Sequence, residues 1–280
     1  MKKKIIIILF IITLALASSI FYMYESRDYS IKEIYIKNDS DQKIFARIYK
    51  PKKNKKMPIV IYSHGLGASY RAGIDYAKEL VKYDIATITF DFRGGRNNNN
   101  SDGSSKDMSF LTEMDDLETI IDYVKKLDFV DKDQIILMGS SQGGAISALI
   151  SAKRDDIKGT VLLYPALSIP THARYRFSNK NDIPKSIKMT NNITVGSKYF
   201  LDIWDMDVYT EIKKDEKQIL ILQGTKDNLV SPEHSKMINN IYKNSELFLI
   251  KGAGHGFDGK HFEEAMIHII DYLKNIKIIK

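Results

Sequence analysis

Beyond residue 30 the chain alternates short apolar runs with stretches in which apolar side chains recur at helical spacing. Alternating runs at 31–37 and 43–49 read as two strands, and continuous apolar runs at 58–63, 85–91, 134–138, 159–164, 217–223 and 246–251 read as further strands. Between them, the pattern predicts helices near 72–82, 111–126, 145–152, 232–243 and 262–276. Strands with no polar face are covered on both sides, and strand–helix alternation makes parallel neighbours through crossover helices. The expectation is an α/β architecture: a mostly parallel central sheet with helices on both faces and functional residues at the strands' carboxyl ends. The rhythm lapses between 165 and 214, which we read as an insertion.

The run Ile135, Ile136, Leu137, Met138 leads directly into Gly139-Ser140-Ser141-Gln142-Gly143-Gly144. This is a G-x-S-x-G sequence between a buried strand and a helix, the setting of a nucleophile elbow. Alone, the pentapeptide is equally a Gly/Ser-rich turn; the flanking strand and helix select the elbow. Ser141 is the candidate nucleophile because only it has glycine at both −2 and +2, where a side chain would meet the neighbouring strand and helix. Ser140 has Met138 and Gln142 at those places.

A serine hydroxyl needs a base, and the base a carboxylate to orient it, here in the chain order serine, acid, histidine. Asp227 follows the strand 217–223 in Gly224-Thr225-Lys226-Asp227, and His255 follows the strand 246–251 in Gly252-Ala253-Gly254-His255-Gly256. Either residue alone reads as an ordinary turn residue; the order and the strand-end positions join them to Ser141. His172, His234, His261 and His268 have no such context. An oxyanion hole takes one N–H from the residue after the nucleophile, Gln142, and a second from the loop after an earlier strand. The strand 58–63 runs into His64-Gly65-Leu66-Gly67, which makes Leu66 the second donor and His64 a support of that loop.

With these residues in place the chain resembles the α/β-hydrolases and, within them, the bacterial cinnamoyl (feruloyl) esterases, small serine esterases with a short inserted lid. The similarity runs from about residue 31 to the C terminus. It rests on Ser63-His64-Gly65-Leu66-Gly67, Asp91-Phe92-Arg93-Gly94, Met114-Asp115-Asp116-Leu117, the 139–144 elbow, Asp227 with Val230-Ser231-Pro232, and the 252–257 loop. Ser140 stands where many relatives carry histidine, and Gly95-Arg96 with Asn97 to Asn100 replaces the usual Gly-His-Gly-x-Ser run. The resemblance implies an α/β-hydrolase fold and a serine carboxylesterase with an acyl-enzyme intermediate, acting on esters with an aromatic or medium apolar acyl group. The same scaffold serves peptidases, thioesterases and acyl transferases, and a membrane-tethered binding protein without activity is the alternative from outside enzymology.

The insertion at 165–214 carries Tyr175, Phe177, Tyr199, Phe200, Trp204, Met206 and Tyr209, the composition of a lid over an apolar acyl pocket. In the esterases it resembles, a lid tyrosine meets the substrate's phenolic hydroxyl, which makes Tyr199 the candidate substrate contact, with Trp204 beside it. No metal or organic cofactor is implied. The expected partner is a small or polymer-linked ester.

With 280 residues, 44% hydrophobic and 28% charged, the chain can bury the core of one catalytic domain. The net charge is +7, and Lys52, Lys53, Lys55 and Lys56 form its densest cluster without interleaved aromatics, so nucleic acid is not an expected partner. Lys2, Lys3 and Lys4 precede residues 5–24, twenty positions without a charge, which as a helix would span about 30 Å. Residues 1–28 therefore read as a signal anchor or a signal peptide. Ala15-Leu16-Ala17 offers a cleavage site, whereas the apolar run through Tyr24 favours the uncleaved anchor. Both versions export residues 29–280, as a membrane-anchored extracytoplasmic domain or a secreted one. Full-length protein made in a bacterium is expected to sediment with membranes and to lose its domain to protease added to wall-stripped cells. A mature protein starting at Ser18 in the medium would identify a cleaved signal, and a protease-protected cytosolic domain would refute export.

Overall fold

Strand side chains point alternately to opposite faces of a sheet, so an uninterrupted apolar run must be buried twice. The computed structural model, which describes residues 29–189 and 192–279, realises this. The proposed signal segment and its boundary at residue 28 lie outside the described residues, among which no helix is long and apolar enough to cross a membrane. From the central strands, Val60, Tyr62, Ile136, Met138, Val161, Leu163, Leu220 and Leu222 pack on one face of the sheet. Their neighbours Ile59, Ile61, Ile135, Leu137, Leu162, Ile219 and Ile221 pack on the other.

The elements begin with β1 (Tyr29–Lys37), β2 (Lys43–Pro51), β3 (Met57–Ser63), α1 (Ile74–Leu80), β4 (Ala86–Phe90) and α2 (Phe110–Val124). There follow β5 (Val130–Ser140), α3 (Gln142–Lys153), β6 (Gly159–Leu163), and then α4 (Ile169–Arg176), β7 (Ser186–Lys188), β8 (Thr194–Gly196), α5 (Lys198–Leu201) and α6 (Val208–Ile212). The chain closes with β9 (Ile219–Gly224), α7 (Pro232–Ile241), β10 (Ser245–Ile250) and α8 (Gly259–Asn275). The eight-stranded sheet has the order β1-β2-β4-β3-β5-β6-β9-β10. Only β1 with β2 and β2 with β4 pair antiparallel; the rest is parallel. Helices α1 and α8 cover one face, and α2, α3 and α7 the other.

The departures from the sequence expectation have local causes. The elbow strand starts at Val130 rather than 134, because Val130 pairs with Met57 across an irregularity that precedes Ile59↔Ile135. The helix expected over 72–82 is α only from Ile74 to Leu80; Val81–Tyr83 tightens into a 3₁₀ turn and Asp84 reverses the chain at φ 62°. The 165–214 insertion is not irregular: it holds α4, the β7–β8 hairpin, α5 and α6, each too short to register as a period. Its Val195, Tyr199, Ile203, Val208 and Ile212 are buried in the same core as the sheet.

One buried phenol ties the C-terminal helix to two strands. Tyr272 of α8 donates to Gln218 O at 2.6 Å and accepts from Thr160 N at 2.9 Å, and burial raises its pKa. Tyr272→Phe leaves that N–H and carbonyl without their partner, an expected loss of about 1–3 kcal/mol. Urea unfolding should show it as a lower midpoint with an unchanged m-value.

Candidate active site

Strand β5 ends and helix α3 begins with a single residue between them, so the chain must reverse at Ser141, whose φ of 51° and ψ of −120° lie outside the regions open to ordinary L-residues. The crowding explains both glycines of the motif. A Cβ on Gly139 would stand 2.2 Å from Gly143 O, and one on Gly143 would stand 2.3 Å from Ser63 O. The turn is fastened by Ser141 N–H to Leu163 O at 2.9 Å and by Ala166 N–H to Ser141 O at 2.9 Å.

The loops after β9 and β10 bring the other two residues to this serine. Ser141 Oγ lies 2.9 Å from His255 Nε2, and His255 Nδ1 lies 2.8 Å from Asp227 Oδ2. The Asp227 side chain is fully buried, and its carboxylate also accepts from Leu229 N at 2.8 Å, Val230 N at 2.9 Å and Gln223 Nε2 at 3.0 Å. A carboxylate on Nδ1 holds the proton there and leaves Nε2 as the acceptor facing the hydroxyl. Tyr164, at the end of β6, packs its ring edge-on to the imidazole at 4.8 Å.

The loop after β3 passes over the elbow, and a Cβ on Gly65 would stand 3.0 Å from Ser141 Cβ. This sets the neighbouring Leu66 at the rim of the same cavity as Ser141, Gln142 and His255. Gln142 is the first residue of α3, where N–H groups have no partner within the helix and the helix dipole favours negative charge. His64 holds the loop. Its Nε2 accepts from Phe92 N–H at 3.2 Å, which puts the proton on Nδ1 for donation to Gly65 O at 2.8 Å, and burial lowers its pKa.

The asparagine run ties the loop after β4 rather than lining the site. Asn100 Nδ2 donates to Asp91 Oδ2 at 2.8 Å, Asn99 donates to Phe92 O, and Asn97 reaches the insertion at Asn192 O, 3.0 Å away. Arg93, beside it, binds Asp115, Asp116 and Gln42, which ties the loop to α2.

The cavity over Ser141 measures about 250 Å³ and is walled mainly by Leu66, Ile169, Ala173, Met189, Phe200, Leu229 and Val230. Tyr199 is among the lining residues, and its hydroxyl is engaged in donating to Gln142 Oε1 at 2.5 Å. Trp204 is not among the lining residues; its carbonyl accepts from Arg174 at 2.8 Å. Three contributors escaped the sequence reading. His172, with no motif around it, reaches the cavity from α4 together with Arg176, and Glu113 of α2 accepts from Gln142 Nε2 at 2.8 Å behind the elbow. No spacing in the sequence brings α2, α3 and the insertion together. His234 bonds to Tyr209 at 2.8 Å, and His268 stacks on Phe248.

The fold recurs among known proteins. The structure superposes on that of Est1E from Butyrivibrio proteoclasticus with ferulic acid bound at a TM-score of 0.79 and 29% identity, over 87% of this chain and 99% of that one. Acetyl xylan esterase 1 of a Thermoanaerobacterium shares the fold at a TM-score of 0.67 and 17% identity, over 88% of this chain and 84% of that one. Among curated sequences, the quorum-quenching protein AidA of Acinetobacter baumannii is 26% identical over 127 residues, 45% of this chain; the chain spans only 40% of AidA's length. Residues 204–278 match the family described as TAP-like protein. Residues 54–198 match the one described as serine aminopeptidase, S33, a stretch that runs from β3 through the elbow into the insertion. As that match takes in more than half of the 280 residues, this chain belongs to the serine aminopeptidase, S33 family of α/β-hydrolases.

Proposed function

We propose that this hydrolase is a serine carboxylesterase acting on esters with an aromatic or medium apolar acyl group. The observation that carries the reading is the unbroken chain of contacts from Asp227 through His255 to Ser141 at the foot of an apolar cavity. His255 Nε2 takes the Ser141 proton as Oγ attacks the ester carbonyl, and Asp227 holds and stabilises the imidazolium. The N–H groups of Leu66 and Gln142 receive the alkoxide, while the α3 dipole favours its charge. The tetrahedral species collapses as His255 returns the proton to the leaving alcohol. Water, deprotonated by the same imidazole, then releases the acid and restores Ser141.

The family's description raises the peptidase alternative, and the charge of the cavity bears on it. An aminopeptidase must receive a substrate's free α-ammonium, for which a carboxylate is the natural partner. The described lining residues include Arg176 and His172 but no Asp or Glu. That wall favours a neutral or anionic group over a cationic one. Est1E, whose structure was solved with ferulic acid, supports an aromatic acyl group.

The location outside the cytoplasm, as an anchored or a secreted domain, belongs to the same proposal. Tyr29 pairs with Pro51, at the edge of the sheet where the parallel strands begin. Ser141, Asp227 and His255 all follow strand carboxyl ends at the opposite edge. Tyr29 and the cavity thus lie at opposite ends of the parallel strands.

Ser141→Ala is expected to abolish fluorophosphonate labelling and to lower ester turnover by several orders of magnitude, to the roughly 10³–10⁴-fold over water left to the oxyanion hole and binding. Ser140→Ala should keep most activity. His255→Gln should lose the ester turnover, while His234→Gln keeps it. Labelling of Ser141→Ala at the parent rate would remove the assignment, and faster turnover of aminoacyl amides than of feruloyl or p-nitrophenyl esters would select the peptidase.

A further inference from the structure

Behind the elbow, the Gln142 carboxamide is held at both ends. Its Nε2 donates to Glu113 Oε2 at 2.8 Å and its Oε1 accepts from Tyr199 OH at 2.5 Å. Gln142 and Tyr199 have no exposed surface and Glu113 is 1% exposed, so none of these groups has water as an alternative partner. The three residues come from different bodies. Glu113 lies in the first turn of α2, whose start is fixed by the reciprocal Ser109–Thr112 capping box. Gln142 opens α3, and Tyr199 belongs to the insertion, with its ring edge-on to Phe200.

We propose that Tyr199 and Glu113 are positioning residues for the oxyanion hole, gripping the Gln142 side chain so that its backbone N–H stays aimed at the alkoxide and tying that aim to the seating of the insertion. The inference rests on the reading of Gln142 N–H as an oxyanion donor. The peptide that carries this N–H joins Gln142 to Ser141, whose torsion angles are strained and would relax if unrestrained. The side chain is the lever on that peptide. Without the Tyr199 hydroxyl, Gln142 Oε1 loses its hydrogen bond in a dry environment, and the carboxamide is free to rotate. The insertion thus contributes to the hole through Tyr199.

Charge gives the arrangement a second consequence. Burial pushes the Glu113 carboxyl up to about 8, the nearby Asp116 charge adds to the rise, and the hydrogen bond from Gln142 opposes it. The groups that face it are Asp116 on its own helix, itself bound by Arg93 from the loop after β4; Gln142 of α3; and Tyr199 of the insertion. Below that pH the carboxyl is neutral. Above it a buried negative charge sits one side chain away from the site where the alkoxide forms, and repels it.

The test compares the parent enzyme with Tyr199→Phe and Glu113→Gln on a p-nitrophenyl ester from about pH 6 to about pH 10, and adds the affinity of each for an arylboronic acid, a mimic of the tetrahedral species. The parent should lose kcat as the pH rises through about 8. Glu113→Gln, neutral at every pH, should keep its kcat there. Tyr199→Phe should lower kcat roughly tenfold, less than the ~10²–10³ lost when a donor is removed outright. It should weaken boronate binding in proportion and leave KM within about threefold. A Tyr199→Phe enzyme with raised KM and unchanged kcat would overturn the proposal in favour of a substrate contact, and an alkaline fall that persists in Glu113→Gln would overturn the role of Glu113. Should Glu113→Gln not fold, the kcat and boronate results of Tyr199→Phe decide alone. If the parent enzyme is not labelled at Ser141 by a fluorophosphonate, the esterase reading itself fails; a labelled parent with unaltered variants sinks only this inference.

Discussion

The reversal of the chain at Ser141 is the constraint on which the site depends. A non-glycine residue held at a positive φ outside the left-handed helical region costs on the order of 1–3 kcal/mol, and such a conformation persists only when its surroundings leave no alternative. Here β5 fixes one end and α3 the other. The approach of Gly139 to Gly143 and of Gly143 to the Ser63 carbonyl is closer than any side chain would allow. Relaxing the turn would mean separating α3 from the sheet. The strain is maintained by the burial of Ile146, Leu149 and Ile150 on the far side of that helix's first turn.

Everything else at the site converges on that fixed hydroxyl. Because β3, β5, β6, β9 and β10 are parallel, their carboxyl ends share one edge, and the loops carrying Leu66, Ser141, Tyr164, Asp227 and His255 emerge side by side. Residues separated by 114 positions in the chain thereby come within hydrogen-bonding distance. The loops are then stiffened individually. Asp227 is clamped by the N–H groups of Leu229 and Val230, the Leu66 loop by His64, and the loop after β4 by Asp91 with its asparagines. In the proposed mechanism the imidazole moves a proton without the surrounding loops reorganising, which is where such sites gain most of their rate.

What could be read from the sequence, and what could not, divides along the range of the interaction. Apolar continuity in runs such as Ile135 to Met138 reports burial on both faces, and burial on both faces implies a parallel sheet, so the architecture was legible. Ser141, Asp227 and His255 were legible because each follows a strand end, where local sequence and tertiary position coincide. The start of β5 at Val130 was not, since it depends on a partner, Met57, rather than on its own pattern. Tyr199 shows the limit most clearly. Its aromatic character pointed to the cavity, and the residue does line it, but its hydroxyl bonds to Gln142, a partner set by how the insertion docks on α2 and α3.

The same contrast of environments separates the two buried carboxyl groups that flank the serine. Asp227 receives three N–H donors besides the imidazole, which suits a carboxylate, whose two oxygens only accept. Glu113 has the single amide N–H of Gln142 against full burial and a neighbouring Asp116, so it keeps its proton to about pH 8. In the proposed mechanism the carboxyl with the more N–H donors lies on the imidazole side, where positive charge develops during attack. The other, raised by burial to about 8, lies on the side where that mechanism develops negative charge. Exchanging the two environments would oppose both halves of the charge separation, so the number of N–H groups offered to each carboxyl carries as much of the chemistry as the identity of the residue.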